Sequence, residues 1–128
     1  MTHPVWLQSR LVLALHDMLV AEHGGSHGVR DAGLLDSALS HPVNLFSYGD
    51  PDLPALAAAY AAGIIKNHPF IDGNKRTGFA AAATFLDRND LELTASEAEA
   101  TRMTLDLASG TVSEDEYAAW LRENTRTV

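Results

Sequence analysis

Asn67-His68-Pro69-Phe70-Ile71-Asp72-Gly73-Asn74-Lys75-Arg76-Thr77-Gly78 stands between two apolar, alanine-rich runs, Ala55 to Lys66 and Thr77 to Asp87. Both runs read as helices, so the stretch is the reversal of a helical hairpin. The helix before it is apolar over most of its surface (Leu56, Ala57, Tyr60, Ala61, Ile64, Ile65), which predicts a central, buried position. The helix after it opens near Asn74 and carries Phe79, Ala80, Ala83, Thr84 and Leu86. Small residues on both let their backbones approach closely. A loop dense in polar groups between two buried helices is costly for folding unless something binds there.

Working outward, Leu7, Leu11, Leu15, Met18 and Leu19 recur at helical spacing, and Gly24-Gly25 stops that first helix. Asp31 is placed to cap a short second helix bearing Leu34, Leu35, Ala38 and Leu39, expected to end before Pro42. Asn44 to Pro54, with prolines, a glycine and exposed-type Leu45, Phe46 and Tyr48, reads as an irregular surface segment. Pro54 suits the first turn of the third helix, with Asp52 as its cap. Thr94-Ala95-Ser96-Glu97 and Ser113-Glu114-Asp115-Glu116 have capping-box form and start a fifth and a sixth helix. Nothing reads as a run of paired strands. The expectation is one all-α domain over residues 1–128, a bundle of about six helices around the central helix–loop–helix.

Composition narrows the function classes. Nearly half of the 128 residues are apolar and there is no cysteine, which removes disulfides, thiol nucleophiles and cysteine-based zinc sites together. No secretory leader and no membrane-spanning stretch is visible, and a cytoplasmic location is expected. The formal net charge is −8, with the acid mainly between Asp87 and Glu123, so general attraction to nucleic-acid backbones is not expected. Positive charge is concentrated at the loop, in Lys66, Lys75 and Arg76.

The loop offers four things to an anionic ligand. Gly73 permits tight backbone geometry, and Asn74, Lys75 and Arg76 occupy the first helical turn, where free N–H groups and the dipole favour an anion. Lys75 and Arg76 add full charges, the latter with a fork suited to phosphate oxygens. Asp72 fits a Mg²⁺ ligand, since that ion commonly bridges a carboxylate to phosphates. His68 could take a proton from a hydroxyl attacking phosphorus. Base, metal and cationic clamp are the parts phosphoryl or nucleotidyl transfer needs. Singly, each has an ordinary structural reading: His68 as a turn residue, Asp72-Gly73 as a turn, Lys75 and Arg76 as a solvated helix start. Their joint density favours function. Phe70 reads as a plug that packs under the loop and holds His68. The order Gly73-Asn74-Lys75 is not that of a Walker A loop.

The run from His68 to Thr77 resembles the signature of the Fic/Doc (Fido) superfamily, and within it the death-on-curing branch, the Doc toxins. Val29-Arg30-Asp31, Leu34-Leu35 and Ser37-Ala38-Leu39 resemble that branch upstream, and Thr84 to Leu93 and Glu116 to Leu121 downstream. The resemblance implies a Fido fold, ATP and Mg²⁺ as cofactors, and His68 as base for a target hydroxyl. It also implies Asp72 as the Mg²⁺ or phosphate-orienting acid, with Gly73, Asn74, Lys75 and Arg76 on the phosphates. Residues 44–52 take the place of the family's flap. Fic adenylyltransferases are similar but carry glycine where this chain has Lys75 and a second arginine where it has Phe79. The implied reaction is therefore protein kinase activity toward a threonine of elongation factor Tu, blocking translation. AMP transfer to a protein hydroxyl, or a silent antitoxin-binding module, are the alternatives.

Many Fic relatives restrain themselves with a Ser/Thr-x-x-x-Glu-Gly/Asn helix. Glu123-Asn124 comes closest here, but Ala119 holds the Ser/Thr position. Restraint in trans by a Phd-like antitoxin, whose C-terminal helix lies in an apolar groove, is the expectation. His23 and His27, with Glu22 and the nearby glycines, read as a flexible surface turn, not a metal site. Arg30 and Asp31 could form a capping pair or contact the target, and His16 and His41 receive no role. Trp6 and Trp120 read as core or interface packing.

Overall fold

The computed structural model describes residues 3–128. The elements are α1 (Ser9–His23), α2 (Ala32–Tyr48), α3 (Leu53–Asn67), α4 (Asn74–Arg88), β1 (Leu91–Leu93), α5 (Glu97–Ser109), α6 (Glu114–Glu123) and β2 (Thr125–Thr127). The architecture is all-α, as the apolar periodicity demands. Every residue from Leu56 to Ala62 is buried, so α3 has no solvent face along that stretch. It packs against α4, α2 and α6, while α1 lies on α4.

Close backbone approach follows from glycine. At Gly78 an added Cβ would lie 2.8 Å from Ile65 Cγ1 and 3.1 Å from Ala61 O, so α4 meets α3 there without room for a side chain. Gly63 plays the same part between α3 and α2, where an added Cβ would lie 3.1 Å from Ala38 O. That carbonyl is four residues before Pro42, which has no N–H to give it.

Helix α2 does not end before Pro42; it runs through the proline to Tyr48. The carbonyl released by Pro42 sits against Gly63, and Pro42 itself is buried. Beyond it, Phe46 meets Trp6 edge-on at 5.6 Å, and Trp6 stacks on Phe85 at 6.0 Å. Aromatic burial thus offsets the cost of an interior proline, about 3 kcal/mol in an isolated helix. Asn44–Tyr48 is therefore helical rather than irregular, with Leu45 and Phe46 packed on the core and Tyr48 91% exposed.

Caps fall largely where the polar residues stand. Asp31 accepts from Leu34 N–H and Asp52 from Ala55 N–H, each at 3.0 Å. Ser113 and Glu116 form the reciprocal capping box of α6. The fifth helix is capped by Ser96, not Thr94, and starts at Glu97. Thr94 instead binds Asn124 O through its N–H and hydroxyl. There is also a short antiparallel pair, Leu91–Leu93 with Thr125–Thr127, in which Arg126 bonds the directly opposite Glu92. Strands of three residues from distant parts of the chain leave no periodicity to read.

Arg122 on α6 grips Asp52, the cap of α3, through two bonds of 2.6 and 3.0 Å. The guanidinium holds the Asp52 carboxyl below its ordinary value of 3.8. Both side chains are about half exposed, so screening keeps the pair's worth to roughly 0.5 kcal/mol. A depressed carboxylate contributes stability above its ordinary pKa and loses it as pH falls through the folded value. Arg122→Ala should therefore lower urea-unfolding stability by about 0.5 kcal/mol at neutral pH. The difference from wild type should fade as pH drops below 3.8. Gly78→Ala should cost more, about 1–2 kcal/mol by the same measurement, because overpacking against Ile65 outweighs the gain in helix propensity.

Candidate active site

The reversal between α3 and α4 is built around a buried amide. Asn74 accepts the backbone N–H of Phe70 at its Oδ1 and donates from Nδ2 to the Phe70 carbonyl, both at 3.0 Å. Phe70 is fully buried and stacks on the His16 ring at 3.9 Å with 8° between planes. His16 Nε2–H in turn donates to Asp72 O at 2.7 Å. The turn is thereby closed from inside by Asn74 and from below by His16.

Two residues in the left-handed region bracket the loop. His68 ends α3 with φ +52, its N–H on Ile64 O, and Gly73 precedes α4 with φ +77. A non-glycine residue in that conformation needs outside support. Arg30 supplies it, donating from Nε to His68 O at 2.8 Å and from Nη2 to Asn67 O at 3.0 Å. Its guanidinium thus satisfies carbonyls left over at the end of α3. Pro69 O accepts the N–H groups of Arg30 and Asp31, and Ile71 N–H bonds Gly28 O. Arg30 is a brace of the loop and Asp31 the cap of α2; they are not a capping pair with each other.

His68, Asp72, Gly73, Asn74, Lys75 and Arg76 all line one cavity of about 920 Å³. Its other walls come from Leu19 and His23 of α1, Ile65 of α3, Phe79 and Ala80 of α4, Ala95, and the face of α5 from Glu97 to Ala108. The size is that of a small-molecule site. Lys75 and Arg76 are exposed and have no ion-pair partner among the described residues, although the chain carries a net charge of −8. The N–H groups of the first turn of α4 point out of the helix beside them.

The Asp72 carboxylate accepts Gly73 N–H at 2.9 Å and Ser26 N–H at 3.3 Å. A carboxylate has about four lone-pair positions, so capacity remains for a cation. Among the described residues no group of three His, Asp or Glu side chains is gathered to hold a metal. Asp72 would thus share an ion with ligand oxygens, the habit of Mg²⁺ beside phosphates. The residues present fit Mg²⁺ and a polyphosphate. Asn74 differs from its neighbours: its side chain is 4% exposed and committed to Phe70, so its backbone N–H is what it can offer an anion.

Several residues of the site carry no sequence motif. His16 could have been found from periodicity, since Val12, His16 and Val20 fall on the buried face of α1 at four-residue spacing. His23, in the supposed surface turn, lines the cavity, as do Glu97 and Thr101. No residue of 44–52 lines it.

A helical bundle with this loop over a cavity walled by α4 and α5 defines the class. Residues 6–86 match the Fic/DOC family, and the chain belongs to it. Among its relatives is the protein called Toxin Doc from Mycolicibacterium smegmatis, 47% identical over 75 residues, 56% of this chain and 57% of that protein. The match thus spans little more than half the length of that relative. Another is Protein kinase doc of Escherichia phage P1, 31% identical over 112 residues, covering 87% of this chain and 88% of the phage protein.

Asn74→Ala should lower unfolding free energy by about 2–3 kcal/mol, since it leaves the buried N–H and C=O of Phe70 without partners. Lys75→Ala, at an exposed and unpaired position, should change it by less than about 0.5 kcal/mol. Chemical denaturation of the two variants checks the contrast between a loop built on Asn74 and an exposed cation that the fold does not use.

Proposed function

We propose that the chain is a Doc-like toxin that transfers the terminal phosphate of ATP to a threonine of elongation factor Tu and so blocks translation. The observation that carries this reading is the cavity in which His68, Asp72, Lys75 and Arg76 converge while Phe79 lines the neighbouring wall. In AMP-transferring members of the family, the position of Phe79 carries a second phosphate-gripping arginine; here it is apolar. The name of the phage relative supports phosphate transfer.

His68 has no hydrogen-bond partner for its ring among the described residues, so its imidazole is free to take the proton of an incoming hydroxyl. Arg30 fixes the backbone from which that ring projects. Lys75, Arg76 and the start of α4 hold anionic oxygens, and Asp72 orients a cation toward them. Bound Mg²⁺–ATP would supply the phosphoryl group and neutralise its charge. The wall formed by Leu19, Phe79, Ala80, Leu105 and Ala108 offers apolar surface next to the charged end.

No residue of α6 lines the cavity, so Glu123 is not placed over it. On this reading restraint comes in trans, from a Phd-like antitoxin whose C-terminal segment docks as a helix in an apolar groove, and the toxin relatives support an antitoxin partner. The cytoplasm, where the target resides, is the proposed location. Among the described residues no helix is long and apolar enough to cross a membrane.

ATP labelled at the γ- or the α-phosphate, offered with elongation factor Tu, separates the readings. Label from the γ position alone is expected. Label from the α position would replace the kinase reading by AMP transfer, and no label from either would leave a binding module. His68→Ala should cut transfer by at least about 100-fold with ATP binding largely kept; full transfer by that variant would remove the base assignment.

A further inference from the structure

The glycine-rich turn between α1 and α2 lies far from the motif in sequence yet closes on Asp72. Ser26 donates its backbone N–H to Asp72 Oδ2 at 3.3 Å, while Gly73 N–H holds Oδ1 at 2.9 Å. Gly25 presses on the same carboxylate. A Cβ added there would lie 2.7 Å from Oδ2 and 3.3 Å from Cγ, so a side chain at this position would push the carboxylate out of its present orientation. The turn is itself anchored to the loop, through Gly28 O to Ile71 N–H at 3.1 Å and through the Val29–Phe70 bridge. Gly24, one residue earlier, has φ +87 and open space where its Cβ would be. Gly25, at φ +114, shares the unusual backbone but not the space.

We propose that Gly25 and Ser26 are positioning residues for Asp72. The Ser26 amide and the bare Cα of Gly25 select one orientation of the carboxylate, leaving its remaining lone pairs for a divalent cation in the cavity. An acid free to rotate would have to be ordered on binding; here two N–H groups from separate segments order it beforehand. The inference rests on the reading of Asp72 as the Mg²⁺ acid, but the contact itself does not.

The test therefore has two arms. In ¹H–¹⁵N spectra of the ligand-free protein, Asp72→Ala should move the Ser26 amide resonance, Gly25→Ala should move it in the same direction, and Gly24→Ala should leave it in place. A Ser26 amide that ignores Asp72→Ala overturns the proposal, and this holds even if Gly25→Ala fails to fold or if the protein transfers no phosphate. In the second arm, ATP binding is followed as Mg²⁺ is raised. Gly25→Ala should need about tenfold more Mg²⁺ for half-maximal binding, the usual scale for loss of a group that orients a metal ligand. Gly24→Ala should match wild type, and adding Gly25→Ala to Asp72→Ala should cause no further shift. Equal shifts in Gly24→Ala and Gly25→Ala would assign the effect to backbone strain and overturn the proposal. Wild-type ATP binding indifferent to Mg²⁺ would overturn the metal role of Asp72, a failure of the proposed function that the Ser26 amide distinguishes from a missing contact.

Discussion

The side-chain amide of Asn74 accepts the N–H of Phe70 and donates to its carbonyl, and the reversal between α3 and α4 depends on that pair. A turn this short between two buried helices has backbone groups that neither helix can satisfy, and burial makes each of them expensive to leave unpaired. One amide solves both for Phe70. With that ring fixed against His16, His16 reaches the carbonyl of Asp72, and the next residue, Gly73, turns the chain into α4. The charged residues follow at once on a helix whose direction is already set. The site is thus rigid at its base and open at its mouth.

Much of this was legible in the sequence, and the reasons differ by residue. The hairpin could be read because α3 is apolar nearly all round and few soluble helices are. Asp31, Asp52 and Ser113 announced their helices because a short polar side chain before an apolar run has one common use. The loop's chemistry was legible from residue types alone, since His68, Asp72, Lys75 and Arg76 crowd into nine positions. Their meeting in one cavity needed the fold.

What could not be read was decided by contacts distant in sequence. Pro42 looks like a stop because an isolated helix loses a bond there. It is tolerated because the freed Ala38 carbonyl lies on Gly63 and the following turn packs Phe46 against Trp6. Thr94 and Ser96 compete for the same cap, and the choice went to Ser96 because Asn124, thirty residues away, claims Thr94. Asn74 reads as a ligand residue by position, whereas its side chain belongs to the loop. Arg30 is the converse: it reads as a capping partner or a target contact, yet its side chain binds two carbonyls at the end of α3.

The charge pattern along α4 explains why a single apolar residue matters to the reading of the reaction. Positions 75 and 79, and likewise 76 and 80, lie on one face of the helix, a turn apart. Lys75 and Arg76 give that face two unpaired cations, and Phe79 and Ala80 make it apolar one turn later, with all four on the cavity wall. A cation at 79 would lengthen the positive strip by about 5.4 Å, the pitch of one turn. Without it, the positive field is confined to the helix start, beside Asp72 and His68. In the proposed reaction a polyphosphate gripped only there would be held at one end, beside His68, with apolar wall beyond. In the proposed phosphate transfer, that arrangement would present the terminal group to a hydroxyl.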